Sequence, residues 1–349
     1  MTERDKHIAG NFYEFFAGGG MARAGLGTAW TCVFANDIDT KKALSYARNW
    51  GKAAFKPADI AKLTTADLTN SADLAWASFP CQDLSLAGSG AGLNGKRSST
   101  FWPFWRLMQY LGRENRAPAL IVIENVCGAL TSHQGRDFVA IATAITKERY
   151  RFGAIVIDAM AFVPQSRPRL FIVAVREDVQ IPEAVKCDGP DPKWHTSALV
   201  GAYSKLPEAK RDNWVWWSLP HPLKRETVLA DLIEQEPTGV SWHTSDQTRY
   251  LQSLMSDVNL EKVAAAKAAG RRVVGTIYRR TRPDGNGGRM QRAEIRFDDV
   301  AGCLRTPVGG SSRQTIMIVD GARVLSRLLS PREVARLMGL PDHYVLPEN

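Results

Sequence analysis

Cys81 stands where a residue of its type could do chemistry. It follows a short apolar run, Leu74–Ala77, and Pro80, which would end a strand because proline has no N–H group for a sheet ladder. A glycine-rich stretch from Ala87 to Gly95 comes next. A thiol at a strand tip, followed by a flexible segment, fits a nucleophile beneath a lid, whereas a lone cysteine is more often a buried structural residue. Cys81 by itself leaves both interpretations open.

A carboxylate and an arginine cluster follow at two other predicted strand ends. Glu124 comes directly after the apolar run Ala119–Ile123, where a carboxylate is costly unless it has a partner or a task. The cluster Gln165–Arg169 opens another predicted strand. In an open parallel sheet, the carboxyl ends of the strands meet along one edge. We therefore expect a thiol, a carboxylate and two guanidinium groups to converge there, which favours a catalytic Cys81.

A glycine turn and several short acids indicate a nucleotide-type site beside that edge. Ala17–Gly20 separates a predicted strand from a predicted helix, as in the first unit of a doubly wound sheet, and lets a ligand approach the backbone. Asp37 follows the second predicted strand, where a carboxylate can bind ribose hydroxyls. Asp37 or Asp39 could instead cap the next helix. Asp59, at the mouth of another loop, could accept a hydrogen bond from an amino group such as that of adenine.

Composition narrows the class of protein. The 349 residues are 44% hydrophobic and carry a formal net charge of +9, which allows a sizeable core and a polyanionic partner. No apolar run approaches the roughly 18 residues of a membrane span, and no signal-peptide core is found. The five cysteines form no CxxC pair and the six histidines no ligand pair at helical spacing. We therefore expect a soluble cytoplasmic protein without a disulfide framework and without a metal site.

The order of predicted elements indicates two domains. Strands and helices alternate as far as Val175, which predicts an α/β protein with a mostly parallel sheet. The rhythm is lost near Glu177, and residues 178–300 are rich in Pro, Trp and Arg. We place the domain boundary there, with a catalytic domain at 1–178 and a second region at 179–349.

The sequence predicts few helices or strands in the second region. Its one clear predicted helix in residues 178–300 is Lys262–Ala269, and the tryptophan cluster Trp214–Trp217 is expected in the core of the smaller domain. A strand is predicted at Thr315–Val319. A helix should begin after Ser330, because Ser330 and Glu333 form a capping box with proline at the first helical position.

Five motifs resemble, in family order, those of bacterial DNA (cytosine-5)-methyltransferases of the restriction–modification type. They are Phe16–Gly20, Phe79–Gln82, Glu124–Val126, Gln165–Arg169 and Leu329–Leu337. The resemblance spans residues 11–343. It implies a Rossmann-like, S-adenosylmethionine-dependent methyltransferase domain together with a smaller, irregular target-recognition domain.

The resemblance also implies a covalent mechanism. Carbon 5 of cytosine is too weak a nucleophile to attack a sulfonium methyl group, and thiolate addition at carbon 6 makes it enamine-like. By resemblance, Cys81 makes that addition, Glu124 contacts N3 and N4 of the base, and Arg169 holds O2. Arg167 is implied to support the pocket.

The implied methyl donor is S-adenosylmethionine, and no metal is implied. Phe16 should pack on the adenine, Gly18 and Gly20 should lie near the methionine moiety, and Asp37 should bind the ribose. The full set of residues assigned to the cofactor by resemblance is Phe16, Ala17, Gly18, Gly20, Asp37, Ile38, Asp59, Ile60 and Pro80.

The implied substrate is double-stranded DNA with the target base flipped out of the duplex. The stretch Ala87–Gly95 resembles the loop that closes over the flipped nucleotide. Residues 271–292 hold seven arginines and a single acid, Asp284, and arginine reads bases or contacts phosphates. The candidate DNA-binding residues are Gln82, Ser85, Arg271, Arg272, Arg279, Arg280, Arg282 and Arg289.

The sequence departs from the family pattern at its end. The family's last element, which carries Gly-Asn and packs beside the glycine loop, should begin where this sequence stops, at Pro347–Asn349. One alternative to an autonomous enzyme is therefore a truncated or split subunit that binds DNA and needs a partner segment for activity. A separate alternative is a tRNA cytosine-5 methyltransferase of similar catalytic fold, which the large, arginine-rich region 180–300 disfavours. A cognate restriction endonuclease and a complementing subunit are the protein partners considered. We expect the protein in the cytoplasm, associated with the nucleoid through DNA.

Overall fold

The computed structural model describes residues 10–80, 100–283, 288–304 and 313–347. These residues divide into two compact units. The first lies within Met1–Ile157, Pro168–His221 and Pro347–Asn349, and the second within Asp158–Arg167 and Pro222–Leu346. The domain boundary predicted near residue 178 therefore falls inside the first unit, and the segment Asp158–Arg167 belongs with the second.

The first unit is built from alternating strands and helices, as the sequence pattern predicts. Its strands are β1 Gly10–Phe15, β2 Trp30–Asp37, β3 Phe55–Pro57, β4 Leu74–Ala77, β5 Leu120–Asn125, β6 Tyr150–Asp158, β7 Pro168–Arg176, β8 Lys186–Cys187 and β9 Trp216–Trp217. Its helices are α1 Met21–Leu26, α2 Thr40–Trp50, α3 Phe101–Arg113, α4 Arg136–Lys147, α5 Ser197–Ser204 and α6 Glu208–Arg211.

Seven of these strands form one sheet in the order β3-β2-β1-β4-β5-β7-β6. Neighbours from β3 to β5 are parallel, whereas β7 runs antiparallel to β5, with Asn125 opposite Leu170. The reversal matters for the site. Because β7 is antiparallel, its first residues lie at the edge where β5 ends, so a motif that opens a strand reaches the same edge as motifs that close one.

The sheet is covered by helices whose apolar faces follow the helical period. Phe104, Leu107 and Leu111 of α3 are buried, as are Phe138 and Ile141 of α4. These side chains share one core with Tyr13 and Phe15 of β1 and with Ala75 and Ala77 of β4. The core thus fixes the ends of the central strands, from which the candidate site residues project.

The tryptophan cluster lies in the first unit, not in the smaller domain where the sequence placed it. Trp214 packs edge-on against Phe152, with ring centroids 5.2 Å apart, and Trp217 is buried in a neighbouring cluster. The backbone beside the cluster is tightly packed, since a Cβ at Gly153 would lie 1.8 Å from the Val215 carbonyl oxygen. The cluster is a core element, and the prediction of its domain was wrong.

The second unit is more regular than the sequence suggested. It contains the helices and strands α7 Ser245–Ser253, α8 Asp257–Ala268, β10 Val273–Pro283, β11 Arg289–Arg296, β12 Thr315–Asp320, β13 Arg323–Leu328 and α9 Pro331–Leu337. Its four strands form an antiparallel sheet in the order β11-β10-β12-β13. The single helix predicted across residues 178–300 is present as α8, but α5, α6 and α7 were not predicted.

Helix α9 begins as predicted from its capping box. The Ser330 hydroxyl accepts a hydrogen bond from the Glu333 N–H at 3.2 Å, and the Glu333 carboxylate accepts one from the Ser330 N–H at 2.7 Å. Glu333 also forms a fully buried ion pair with Arg327, with 2.6 Å between Arg327 Nη2 and Glu333 Oε1. The pair joins the start of α9 to strand β13.

Candidate active site

The glycine turn between β1 and α1 adopts a backbone that only a few residue types can follow. Phe16, Gly18 and Gly20 all have positive φ, at 59°, 57° and 81°. A Cβ at Gly20 would lie 2.2 Å from the Trp50 indole nitrogen, which itself donates to the Gly19 carbonyl at 2.9 Å. The turn therefore requires glycine at position 20, and the hydrogen bond from Trp50 of α2 to the Gly19 carbonyl holds it in place.

Asp37 ties this turn to the tip of β2. One carboxylate oxygen accepts the Gly18 N–H and the other accepts the Asp39 N–H, each at 2.9 Å, and Lys42 Nζ lies 3.8 Å away. The helix cap is Asp39, which accepts hydrogen bonds from the N–H groups of Lys41 and Lys42. Of the two acids, Asp39 is the cap, and Asp37 is left beside the glycine turn.

The apolar residues expected around an adenine differ in exposure. Ile38, next to Asp37, has 68% of its surface exposed, Phe16 is half-buried, and Ile60 is buried. Asp59 caps the short 3-10 helix Ile60–Lys62 by accepting the Ala61 N–H at 2.9 Å. An exposed isoleucine beside a buried carboxylate offers an apolar face next to hydrogen-bond acceptors.

Glu14 is a buried carboxyl group beside the glycine turn that the sequence interpretation missed. It lies on β1, only 1% exposed, and its Oε1 accepts the N–H groups of Ala22 at 3.1 Å and Arg23 at 3.2 Å. Its Oε2 is buried and has no hydrogen-bond partner among the residues that the structure describes. Burial raises the pKa of the Glu14 carboxyl to about 7. The signal was an acid inside the apolar run Phe12–Phe16, where a charge needs a reason.

Glu124 and Arg169 meet at the carboxyl edge of the sheet. Arg169 Nε lies 3.0 Å from Glu124 Oε1, and both side chains are largely shielded, at 16% and 23% exposure. Glu124 is the fifth residue of β5 and Arg169 the second of β7, so the antiparallel register brings them together. The convergence predicted for these two residues is thereby observed.

The chain that leads to Cys81 ends at the same edge. Strand β4 pairs with β5 through Ala77 and Ile123, and Asn125 Nδ2 donates to the Phe79 carbonyl at 3.5 Å. Pro80 is exposed and is the last described residue before position 100. Cys81, Gln82 and Ser85 lie outside the described residues, as does the predicted lid, Ala87–Gly95. Their predicted roles remain predictions.

Arg167 and Gln165 belong to the second unit. The Arg167 guanidinium donates to the Leu304 carbonyl at 3.2 Å, and the buried Gln165 side chain donates to the Leu337 carbonyl at 2.6 Å and accepts the Leu304 N–H at 3.3 Å. These contacts show the motif residues before Pro168 organising the 303–304 segment and the end of α9. The predicted pocket-supporting role of Arg167 stays a prediction.

The candidate DNA-reading arginines lie in the second unit on or beside one hairpin. All six are exposed: Arg271 and Arg272 precede β10, Arg279, Arg280 and Arg282 lie on β10, and Arg289 opens β11. Within the described ranges, no group of three or more His, Cys, Asp or Glu side chains could hold a metal ion. The same residues include no helix long and apolar enough to cross a membrane.

The fold and the edge of the sheet define a Rossmann-like methyltransferase. The family model for C-5 cytosine-specific DNA methylases matches residues 10–349. The chain therefore belongs to that family, and it is a DNA (cytosine-5)-methyltransferase. The resemblance drawn from the five motifs is confirmed.

Individual relatives agree with this assignment. The chain is 23% identical over 355 residues to the type II methyltransferase M.HpaII of Haemophilus parainfluenzae, covering 96% of this chain and 81% of that protein. It is 24% identical over 348 residues to the type II methyltransferase M.HhaI of Haemophilus parahaemolyticus, covering 98% and 87%.

Solved structures agree on the fold. A DNMT2 mutant from Spodoptera frugiperda matches with a TM-score of 0.57 at 16% identity, covering 97% of this chain and 91% of that one. A putative DNA modification methyltransferase encoded within an E. coli prophage matches with a TM-score of 0.52 at 16% identity, covering 97% and 90%. At these identities, the likeness concerns the fold alone.

Proposed function

We propose that this protein methylates carbon 5 of a cytosine within one specific short sequence of double-stranded DNA, using S-adenosylmethionine, base flipping and covalent catalysis by Cys81. The observation that carries the proposal is the Glu124–Arg169 ion pair of 3.0 Å at the sheet edge where β4 leads toward Cys81. A carboxylate and a guanidinium side by side match the polar edge of cytosine, which offers N4 as donor and O2 as acceptor.

The residues present fit S-adenosylmethionine. Gly18 has a positive φ, and the nearest atom to a Cβ built on it is Lys42 Cδ at 4.0 Å, so a ligand can approach the turn there. The exposed Ile38 offers an apolar face next to Asp37. Phe16, Ala17, Asp59, Ile60 and Pro80 would complete the site. S-adenosylmethionine, when bound, supplies an electrophilic methyl group.

The chemistry falls to three side chains. The Cys81 thiolate forms a bond to carbon 6 of the flipped cytosine, and the ring electrons move toward carbon 5. Glu124, carrying or sharing a proton, binds N3 and N4 and stabilises the negative charge that develops at N3 by giving N3 a proton or a strong hydrogen bond. Arg169 holds O2 and keeps Glu124 in place. Carbon 5 then takes the methyl group, which breaks the methyl–sulfur bond and leaves the donor sulfur as a thioether. The carbon-5 proton passes to water, and the electrons of that C–H bond restore the C5–C6 double bond and the aromatic ring as the Cys81 thiolate leaves by β-elimination.

The biological setting is part of the proposal. The matched relatives are type II methyltransferases, which supports a role beside a cognate restriction endonuclease. We propose that the protein acts in the cytoplasm on nucleoid DNA.

Covalent trapping tests the mechanism. DNA that carries 5-fluorocytosine at the target has no carbon-5 proton to lose, so β-elimination cannot occur. We expect wild-type protein to form a stable protein–DNA adduct on such DNA in the presence of S-adenosylmethionine, and the Cys81→Ala variant to bind the same DNA without an adduct. An adduct formed by Cys81→Ala would contradict the proposed nucleophile.

A further inference from the structure

The hairpin β10–β11 carries an arm that stands clear of the core of its own unit. Ile277, Ala293 and Ile295 at its base are buried against α7 and α8 residues such as Leu251 and Val263. Beyond them, every residue of Arg279–Pro283 and Arg289–Gln291 is exposed. We call these two segments the hairpin arm. A ribbon that buries neither face is not explained by the packing of the unit.

The charge of the arm also opposes the stability of the hairpin. Arg280 lies directly across from Arg292 in the antiparallel register. Like charges at opposed positions destabilise a strand pair. Glu294 is a single carboxylate among these arginines, so the excess positive charge suits a polyanionic partner. A two-stranded ribbon is one of the elements that the major groove of DNA admits.

Alternation along the strands gives the arm two chemically different faces. Arg280, Arg282 and Met290 of the arm lie on the same face of the hairpin as Arg292 and Glu294 in the adjoining part of β11, and we call this face the Glu294 face. Arg279, Thr281, Arg289 and Gln291 share the opposite face. On the opposite face, Arg279 and Arg289 make no ion pair with any residue that the structure describes.

Glu294 holds two guanidinium groups on its face. Its Oε1 lies 2.5 Å from Arg282 Nη2 and 3.1 Å from Arg282 Nε, and its Oε2 lies 3.2 Å from Arg280 Nε. The Arg280 guanidinium also sits over the Tyr278 ring, 6.0 Å from its centroid. Within the described ranges, the Arg280 Nη groups make no hydrogen bond. Glu294 and Tyr278 therefore fix the position of the Arg280 guanidinium, and its Nη donors can bind a ligand.

A carboxylate in this place suits base reading better than phosphate binding. Beside phosphates, Glu294 would be repelled, whereas base edges in the major groove include the cytosine N4 donor. Holding an arginine in one rotamer reduces the entropy lost when its planar fork binds O6 and N7 of guanine. An arginine that serves phosphates needs no such restraint.

We propose that the Glu294 face of the hairpin arm enters the major groove of the target DNA, where Arg280, positioned by Glu294 and Tyr278, reads a guanine of the recognition sequence. Arg279, on the opposite face, contacts the phosphate backbone. The proposal rests on the proposed function, because it assigns the DNA-reading residues of that same enzyme.

The test is methylation of a duplex library in which the bases around the cytosine are randomised, read out by bisulfite sequencing. Wild type should methylate one defined motif. Arg280→Ala should lower the preference for guanine at one position of that motif by about 5- to 150-fold and leave the other positions unchanged. Glu294→Gln should loosen the same position, while its affinity for non-specific DNA rises because a negative charge is lost.

Two further variants separate base reading from charge and from folding. Arg279→Ala is the matched control, the neighbouring arginine on the other face. It should keep the motif, weaken binding equally for all sequences, and lower the slope of log affinity against log salt by about 1. Arg280→Lys keeps the charge but not the planar fork, so it should loosen the same position as Arg280→Ala with the salt slope unchanged.

Opposite results would overturn the inference. The inference would be wrong if Arg280→Ala, Arg280→Lys and Glu294→Gln all methylated the same motif as wild type. It would also be wrong if Arg279→Ala methylated a different motif. Failure of the proposed function looks different, because wild type would then methylate no cytosine of the library at carbon 5.

Discussion

The Glu124–Arg169 ion pair has two functions that one contact can serve. It fixes both side chains at the end of β5, and it places a cation and a carboxylate within 3.0 Å of each other in a partly shielded site. A shielded pair is screened less by salt than the exposed Arg149–Glu177 pair, in which the side chains are 84% and 52% exposed. The shielded pair therefore holds a better defined geometry, which the proposed contact with a base requires.

Glu14 is the buried carboxyl with the most unfavourable surroundings in the glycine-turn region. Two backbone N–H groups at the start of α1 stabilise its Oε1, whereas Oε2 has no partner in the described part of the chain, and burial raises the pKa of the carboxyl from 4.5 to about 7. The folded state therefore keeps a proton that the unfolded state loses between about pH 4.5 and pH 7. Ionisation of Glu14 makes unfolding easier as the pH rises through that window.

Glu14→Gln should remove this pH dependence. The amide stays neutral at every pH and retains the oxygen that accepts the Ala22 and Arg23 N–H groups. A shift of this size corresponds to about 3 kcal/mol. We expect the free energy of unfolding of Glu14→Gln, relative to wild type, to rise by about 3 kcal/mol between about pH 4 and pH 8. Denaturant titrations at several pH values measure it, and parallel curves for the two proteins would contradict the burial argument.

At the scale of elements, the turn between β1 and α1 is the most constrained backbone of the site. Gly20 combines a φ of 81° with a Trp50 indole that occupies the space a side chain would need. The Trp50 side chain is held in place, because its indole N–H donates a hydrogen bond to the Gly19 carbonyl and the Arg23 guanidinium lies 5.1 Å from its ring centroid. The glycine turn, α1 and α2 are therefore packed together so that a change at one affects the others.

Gly20→Ala should destabilise the protein by about 2 to 4 kcal/mol, from the left-handed backbone and the displaced indole. It should also weaken S-adenosylmethionine binding measured by calorimetry. Gly25→Ala is the control within α1, where nothing lies within 4 Å of the new Cβ and φ is not positive. That variant should gain roughly 0.5 to 1 kcal/mol. Equal effects of the two substitutions on the free energy of unfolding would refute the argument.

The start of α9 depends on a buried ion pair as well as on its cap. Glu333 and Arg327 are both fully buried, and the Glu333 carboxylate also accepts the N–H groups of Ser330 and Glu234. Glu333→Gln leaves the Arg327 charge uncompensated, so we expect a loss of about 3 to 5 kcal/mol. Ser330→Ala removes the cap and the hydrogen bond that the Ser330 hydroxyl donates to Glu234 Oε2 at 2.6 Å, but it leaves the ion pair in place and should cost about 1 to 2 kcal/mol. Chemical denaturation compares them, and a smaller loss for Glu333→Gln than for Ser330→Ala would sink this explanation.

At the scale of the whole molecule, local patterns predicted local elements well. The alternation of strands and helices predicted as far as Val175 is the order observed in the first unit, and the apolar runs Leu74–Ala77 and Ala119–Ile123 lie at β4 and β5, because each element is decided by its own sequence. The reversed direction of β7 could not be read from its sequence, since Leu170–Val175 is equally apolar in a parallel or an antiparallel strand. Pairing between distant strands decides it.

The misplaced tryptophans and the undetected helices have the same kind of cause. The sequence around Trp214 and Trp217 does not indicate which core these residues belong to. Their contacts assign them to the first unit, Trp214 with Phe152 and Trp217 with the cluster that contains Ile155 of β6. Helix α7 has a capping box at Thr244, yet its sequence has few apolar residues to mark a helical face. In the site, Glu124 and Arg169 could be paired from their motifs, whereas Glu14 was missed because a single acid in a strand has no periodic partner.

Bisulfite sequencing of DNA from cells that express this protein tests the central claim most directly. Wild type should convert cytosines of one short sequence to the bisulfite-resistant form. Cys81→Ala should leave none protected, and Cys187→Ala, a half-buried cysteine on β8 in the same unit, should behave as wild type. Full protection in Cys81→Ala, or none with wild type, would contradict a cytosine-5 methyltransferase that works through Cys81.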